Sequence, residues 1–219
     1  APVITLLGAA SVAHEQGTAY TDAGATARDS VDGDITAIIT VGGDAVDENT
    51  AGVYTITYDV SDASNNPATQ VTRVVTVGDS TAPVITLLGA AAVAHEQGTA
   101  YTDAGATATD SVDGDITATI AVGGDAVDEN TAGVYTITYD VSDASNNPAT
   151  QVTRVVTVGD STAPVITLLG AAAVAHEQGT AYTDAGATAT DSVDGDITAT
   201  IAVGGDAVDE NTAGVYTIT

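Results

Sequence analysis

The sequence of 219 residues has no cysteine, methionine, tryptophan or phenylalanine, and its three cationic side chains are all arginine, so lysine is absent as well. Without cysteine there is no disulfide and no zinc–thiolate site. Without lysine, Lys–Asn isopeptide cross-links are excluded. Tyrosine, present eight times, is the only aromatic residue. The cores must therefore be built from Ala, Val, Ile and Leu, which suits several small modules better than one large globule.

Positive charge is almost missing: 30 acidic residues face 3 arginines, and the net charge is −27. Nucleic acid is a poor partner, because binding it requires cationic groups that neutralise phosphates. An anionic membrane surface is disfavoured for the same reason, and no apolar run approaches the ~18 residues of a membrane span. Such a chain repels itself unless salt or divalent cations screen its charge, which fits an extracellular, cation-rich medium.

The sequence is a tandem repeat with a period of 81 residues: residues 1–7 recur as 82–88 and as 163–169. Copies one and two differ only at Ser11/Ala92, Arg28/Thr109, Ile38/Thr119 and Thr40/Ala121, and copy three equals copy two as far as Thr219. We predict domains at 1–79, 82–160 and 163–219, the third without its last strand. Two interpretations stay open: the sequence is a window cut from a longer array, or the incomplete domain accepts a strand from another chain.

Each repeat is predicted to be all-β. Residues 53–60 alternate with period two and are rich in β-branched and aromatic side chains, and residues 70–77 follow after a hairpin-like connection. Further strands are predicted at 2–7, 11–15, 18–27 and 35–41, separated by glycine and aspartate. About seven short strands per repeat indicate an immunoglobulin-like β-sandwich, and the sandwiches follow each other end to end. Tyr20, Tyr54 and Tyr58 are assigned to the core, and Arg28 and Arg73 to cross-strand charge pairs.

Several segments carry a resemblance: "APVITLLG", "YTDAGATA", "DSVDGDIT" and "GVYTITYDVSDASNNPATQVTRVVTV". Together they resemble the immunoglobulin-like repeats of giant bacterial surface proteins and adhesins, a group akin to hyalin-repeat and cadherin-like modules. The resemblance covers the whole repeat. "ASNNPAT" departs from the Gly-Asn turn that is more usual there, and "HEQG" is a second departure. The resemblance implies an exported, non-enzymatic module that is used in tandem as a stalk.

Acidic residues gather in the loops. If successive strands run up and down, the loops 29–34 and 62–66 share one pole of a repeat, and the last strand delivers Asp79 to the pole of the next repeat. These alternating strand directions predict one acidic cluster at each joint between repeats, with Glu15 and the loop 44–48 near the first joint. The candidate ligands are Asp79, Asp110, Asp113, Asp115 and Asp143 at the first joint, and Asp160, Asp191, Asp194 and Asp196 at the second.

Carboxylates brought together in this way favour a hard cation that takes six to eight oxygen ligands, and we predict calcium that rigidifies the joints. Cadherin-like modules clasp calcium in a similar way. The alternative is that Asp, Asn and Gly are there only because turns need them. Neither loop matches the spacing of an EF-hand.

An enzymatic role is not expected. His14, His95 and His176 each precede a glutamate, but neighbouring side chains in a strand point to opposite faces, so the pair cannot act together. The predicted function is a structural stalk of a secreted or cell-surface microbial adhesin whose partners are its neighbouring repeats. Two alternatives remain: a subunit of an extracellular filament, joined to other copies by strand exchange, and a glycan- or ice-binding module.

Overall fold

The computed structural model describes residues 1–219, and it confirms an all-β chain of tandem immunoglobulin-like repeats. The first repeat has seven strands, as the sequence predicts. They are β1 (Val3–Leu6), β2 (Ser11–Glu15), β3 (Ala25–Asp29), β4 (Gly33–Asp34), β5 (Thr40–Gly43), β6 (Gly52–Asp59) and β7 (Val71–Gly78). A three-residue 3-10 turn, Thr36–Ile38, lies between β4 and β5.

Two sheets form the sandwich of the first repeat. One has the order β1-β3-β4 and is antiparallel; the other has the order β2-β7-β6-β5. In the second sheet β7 pairs antiparallel with β6 and parallel with β2, so β7 is a central strand although it comes last in the repeat. The partner of β2 is β7, the last strand of the repeat. β2 therefore belongs to a sheet only when that last strand is present.

The core of the first repeat lies between the two sheets. Ile4, Ala25 and Ala27 come from the three-stranded sheet, and they meet Ile56, Tyr58, Val60, Val75 and Val77. On β7 every second residue is buried, as expected for a strand with one face towards the core. Tyr58 is fully buried, and Tyr20 and Tyr54 pack against the cluster, so all three tyrosines belong to the core as predicted.

Arg73, which the sequence assigned to a cross-strand charge pair, is only 1% exposed, and its partner Asp22 lies outside the strands. It forms an ion pair with Asp22 and donates to the carbonyl oxygens of Leu7, Ala9 and Gly24, while the Tyr58 hydroxyl lies 3.1 Å from its Nη1. The guanidinium can be buried because several acceptors surround it. Arg28, by contrast, is exposed and lies opposite Asp34 in the sheet register.

Two predicted strands are shorter than the sequence indicated. Within 18–27 only the last residues pair with β1, because Gly24 turns at φ 76° and the preceding segment carries Asp22 to Arg73. Within 35–41 the chain leaves one sheet and joins the other through the 3-10 turn, where the Thr36 hydroxyl accepts a hydrogen bond from the amide of Ala27 (3.0 Å). The first interruption comes from the backbone turn at Gly24 and an ion pair, and the second from a side-chain hydrogen bond; period-two patterns reveal none of these.

The asparagines of "ASNNPAT" have a local explanation. Asn65 has φ 61°, a left-handed conformation that asparagine tolerates better than most residues. Asn65 therefore adopts the left-handed conformation for which a glycine is more usual in this turn.

The second repeat has the same strand sequence. Its strands are β8 (Val84–Leu87), β9 (Ala92–Glu96), β10 (Ala106–Asp110), β11 (Gly114–Asp115), β12 (Ala121–Gly124), β13 (Gly133–Asp140) and β14 (Val152–Gly159). The third has β15 (Val165–Leu168), β16 (Ala187–Asp191) and β17 (Gly195–Asp196), followed by a single bridge between Gly205 and Ile218. None of the helical segments has the length and apolarity that a membrane crossing requires.

The backbone groups into two compact units. The first contains Ala1–Gly89, Ala104–Gly123 and Thr138–Val152, and the second contains Ala90–Asp103, Gly124–Ile137 and Thr153–Thr219. Each acidic cluster described below lies within a single unit.

Candidate metal centres

The loop after β10 positions two aspartates in the first unit. Asp110 ends the strand, and its Oδ1 accepts hydrogen bonds from the amides of Val112 (2.7 Å) and Asp113 (3.0 Å). These bonds close a tight turn, a common use of aspartate. They occupy one carboxylate oxygen of Asp110 and leave Oδ2 to point elsewhere.

The linker after β7 is held by Glu15, at the end of β2. The Glu15 carboxylate accepts hydrogen bonds from the amide of Ser80 (3.1 Å to Oε2) and from the hydroxyls of Ser80 (2.5 Å) and Thr81 (2.7 Å). These donors lower the pKa of Glu15 from 4.5 to about 2. The linker is thereby fixed to the first repeat, which sets the direction in which Asp79 points.

Asp79 meets the loop of the second repeat at this point. One carboxylate oxygen each from Asp79, Asp110 and Asp113 lie within 4.8 Å of one another. Oδ2 of Asp79 and Oδ2 of Asp110 are buried, and no hydrogen-bond donor reaches either atom. Desolvation raises the pKa of Asp79, and the negative charges of Asp110 and Asp143 add to the effect. The cluster therefore holds concentrated negative charge that no protein group neutralises.

Asp143 lies beside the cluster and is 7% exposed. Its two oxygens accept hydrogen bonds from the backbone amide (2.7 Å) and the side-chain amide (2.8 Å) of Asn147, whose side chain also donates to the carbonyl oxygen of Asp79 (3.3 Å). Asp113 accepts from the amide of Ala144 (2.7 Å). The second acidic loop is thus bound both to the first loop and to the linker.

The second unit contains an equivalent arrangement. Asp160, Asp191 and Asp194 also bring one carboxylate oxygen each within 4.8 Å of one another. Glu96 holds the linker through the amide of Ser161 (3.0 Å to Oε2) and the hydroxyl of Thr162 (2.8 Å). Desolvation raises the pKa of Asp160, as it does for Asp79. The glutamate, the linker aspartate and two loop aspartates thus recur at the second joint, whereas Asp143 and Asn147 have no counterpart within the 219 residues.

Two predicted ligands lie outside the clusters. Asp115 accepts a hydrogen bond from the amide of Thr117 (2.9 Å), and Asp196 accepts one from the amide of Thr198 (3.0 Å). Each of these two carboxylates thus accepts a hydrogen bond from the first residue of the 3-10 turn that follows it. The structure thus gathers Asp79, Asp110 and Asp113 with Asp143 beside them, and gathers Asp160, Asp191 and Asp194.

Sequence reasoning missed two features of these loops. One is Asn147, whose amide connects the second loop with the linker; the only signal was its place beside an acidic turn. The other is a third cluster, formed by Asp29, Asp32 and Asp62 within the first repeat. The sequence does contain the pattern of this cluster, because "DSVDGD" occurs in every copy. We predicted acidic clusters only at the joints between repeats, however.

The histidines have local partners. In all three repeats Nε2 lies within about 3 Å of a threonine carbonyl oxygen four residues on, for example 2.9 Å from His14 to Thr18. The ring also packs edge-on against a tyrosine, with centroids 5.1 Å apart for His14 and Tyr20. The hydrogen bond and the ring contact together stabilise the turn that follows each histidine.

Comparison with known proteins agrees with this architecture. The family described as "Bacterial surface protein, Ig-like domain" matches residues 4–77, 85–158 and 166–219. None of the curated proteins compared with the sequence matches it.

Solved structures give more distant likenesses. A lipoprotein from Bacteroides thetaiotaomicron is 14% identical, with a TM-score of 0.33, and the match covers 70% of this chain and 98% of the lipoprotein. A Clostridium perfringens structure that joins an M60 catalytic domain to two CBM51 domains is 12% identical, with a TM-score of 0.43. That match covers 86% of this chain, which spans 33% of the length of the clostridial chain.

Proposed function

The chain belongs to the bacterial surface protein Ig-like domain family, and from this membership we propose that it is an extender segment of a secreted or cell-surface adhesin, stiffened by calcium between its repeats. Its role is mechanical: it projects or connects other parts of the protein. Its partners are its own neighbouring repeats. The extreme negative charge supports a cation-rich exterior as its place of action.

One observation carries the calcium part of this proposal: two carboxylate oxygens, Oδ2 of Asp79 and Oδ2 of Asp110, are buried at one cluster without any hydrogen-bond donor. Burying a charged carboxylate oxygen without a hydrogen-bond donor is costly, and a bound cation offsets that cost. The donors are all hard oxygens, which suit calcium. Calcium tolerates irregular sets of six to eight ligands, whereas magnesium requires a near-octahedral shell and gives up its waters reluctantly.

The ligands come from both sides of a joint. Asp79 belongs to the linker that Glu15 holds to the first repeat, and Asp110 and Asp113 belong to the second repeat. A cation bound to all three ties the linker to the next repeat. Because Pro83 fixes its own φ, few rotatable bonds remain in the linker, and the cation restrains those next to Asp79. Waters complete the shell.

The test compares the chain with calcium and with EDTA. We expect calcium to raise the unfolding temperature and to increase the maximum dimension measured by small-angle X-ray scattering. The double variant Asp79→Asn/Asp160→Asn should lose the increase in maximum dimension and a large part of the rise in unfolding temperature, because each joint cluster loses its linker ligand. The matched control is Asp115→Asn/Asp196→Asn, which removes the same charge from aspartates outside the clusters. Calcium that changes neither the unfolding temperature nor the dimension of the unmodified chain would refute the proposal.

A further inference from the structure

Two strands of the first repeat that pair with each other also receive any pull on its two ends. β2 and β7 are parallel, with Ser11 opposite Val74 and Glu15 opposite Gly78. The preceding chain, including β1, joins β2 at the Ser11 end, and the linker to the next repeat leaves β7 at the Gly78 end. A pull on the repeat therefore acts at opposite ends of this pair and slides the strands past each other. The hydrogen bonds of the ladder are then loaded together, because they all run between the two strands.

Backbone hydrogen bonds continue this ladder beyond both ends of β2. The amide of Val74 donates to the carbonyl oxygen of Ala10 (2.9 Å), and the amide of Gln16 donates to the carbonyl oxygen of Gly78 (3.0 Å). The region that shares the load is therefore longer than β2 itself.

Arg73 anchors the beginning of β7 to the chain that leads into β2. Its Nε donates to the carbonyl oxygen of Ala9 (3.0 Å), and its Nη2 donates to the carbonyl oxygens of Leu7 and Gly24. Leu7 and Ala9 lie between β1 and β2. When β7 is pulled towards the linker, these two residues are pulled the opposite way, so the buried guanidinium resists the sliding.

Glu15 anchors the other end of the pair. It is the last residue of β2, and its carboxylate accepts hydrogen bonds from the amide (3.1 Å) and hydroxyl (2.5 Å) of Ser80 and from the hydroxyl of Thr81 (2.7 Å). Ser80 and Thr81 follow β7, so a pull on the linker reaches them before it reaches the strand. Each end of the parallel pair thus has a side-chain anchor in addition to the backbone ladder.

The second repeat has the same parallel pair and anchors. β9 pairs parallel with β14, Arg154 donates to the carbonyl oxygen of Ala90 (3.1 Å), and Glu96 accepts from the hydroxyl of Thr162 (2.8 Å). We infer that the first two repeats are tension-bearing units, in which the parallel strand pair is loaded in shear and an arginine and a glutamate anchor its ends. The inference rests on the mechanical role proposed above, but no cation takes part in it.

Single-molecule force measurements on the full chain in EDTA test the direction of the load. The chain has no cysteine, so Ser64→Cys, at an exposed position in the turn between β6 and β7, provides a unique second attachment point. The N-terminus lies at the same end of the repeat as this turn, because the amino group of Ala1 is 3.5 Å from Asp29, whose carboxylate lies beside that of Asp62.

A pull between the N-terminus and residue 64 holds the β6–β7 hairpin at its turn and draws β2 away from the Ser11 end. The parallel pair then opens one hydrogen bond at a time. We expect the first repeat to unfold at a severalfold lower force in this direction than when the chain is pulled by its two ends. Equal forces in the two directions would overturn the inference.

The anchors are tested in the end-to-end pull with Glu15→Gln/Glu96→Gln. We expect the unfolding rate of the first two repeats at constant force to rise about three- to tenfold, since hydrogen bonds to a charged group are lost from the loaded pair. The matched control is Asp47→Asn/Asp128→Asn. These carboxylates also accept from an amide (3.0 Å) and a threonine hydroxyl (2.8 Å), but they lie in loops outside the paired strands, so the rate should not change. Equal effects of the two double variants would refute the role of the glutamates as anchors.

The outcomes separate this inference from calcium at the joints. A high end-to-end force in EDTA, in a chain whose unfolding temperature and dimension do not respond to calcium, would support the tension-bearing pair and refute the calcium proposal. A response to calcium in a chain that unfolds at equal force in both directions would overturn the tension-bearing pair and leave the calcium proposal standing.

Discussion

The second and third repeats make an unusual comparison, since residues 82–138 and 163–219 are identical in sequence. Ile85 is 8% exposed, whereas its counterpart Ile166 is 64% exposed. Residues 92–96 form strand β9, whereas the identical residues 173–177 form no strand. The sequence ends at Thr219, before the residues that would correspond to the last strand. The same residues thus adopt or lose their structure according to whether the segment that corresponds to 139–162, with the last strand, follows them.

The first repeat shows why this strand has so large an effect. β7 lies between β2 and β6, and it supplies Val75 and Val77 to the core. A repeat without this strand leaves the counterpart of β2 without a partner and uncovers the core face of the opposite sheet. The three-stranded sheet survives in the third repeat because β15, β16 and β17 pair only with each other.

The largest expected effect comes from completing the third repeat. Appending residues 139–162 after Thr219 supplies the counterpart of β7, and the counterpart of β2 can then pair. We expect a gain on the order of 5 kcal/mol in the stability of this repeat, since a small domain folds cooperatively or not at all. Hydrogen exchange of the amides at 173–177 measures it. A scrambled extension of the same composition is the control, and equal exchange in both chains would contradict the prediction.

The second prediction concerns Arg73, the buried arginine in the last strand of the first repeat, whose replacement should destabilise that repeat. Arg73→Met keeps much of the side-chain volume but removes the cation that pairs with Asp22 and one donor each from the carbonyl oxygens of Leu7, Ala9 and Gly24. We expect the first repeat to lose about 3–5 kcal/mol, as is typical when one member of a buried ion pair is removed. Urea unfolding measures the loss.

Arg28→Thr is the control for this variant. It removes the same charge from an exposed position, and the other two repeats carry threonine there, at Thr109 and Thr190. Its effect should stay within about 0.5 kcal/mol. Similar losses for the two variants would mean that net charge, and not the buried network, determines the stability.

Sequence reasoning reached the fold because strand periodicity and repetition are local properties. Alternation along 53–60 and 70–77 predicted the two long strands β6 and β7, which lie at 52–59 and 71–78. Burial of Arg73 could not be predicted in that way. An arginine on a strand usually faces solvent, and its burial depends on carbonyl groups about 50 to 65 residues earlier in the chain.

For the candidate sites, counting strand directions sufficed to bring Asp79 to Asp110 and Asp113. It could not distinguish these aspartates from Asp115, since all lie in one acidic loop. The difference is a hydrogen bond to the amide of Thr117, which turns Asp115 towards its own 3-10 turn. The calcium ligands and the domain boundaries at 1–79, 82–160 and 163–219 stay predictions.

The smallest expected effect concerns Glu15, which holds the linker, and its counterpart Glu177 in the third repeat. Hydrogen bonds from Ser80 and Thr81 lower the pKa of Glu15 from 4.5 to about 2. A carboxyl group whose pKa is lowered by folding stabilises the fold fully above pH 4.5, and this contribution is lost as the pH falls through about 2. Glu15→Gln should therefore lower the unfolding temperature at pH 6 and have progressively less effect down to pH 2. Glu177→Gln, at an exposed position in a repeat whose following linker is absent from the sequence, should have little effect at either pH. Carbon-13 NMR titration of the Glu15 carboxyl group checks the cause directly, and an ordinary pKa near 4.5 would show that the linker is not held by this carboxylate.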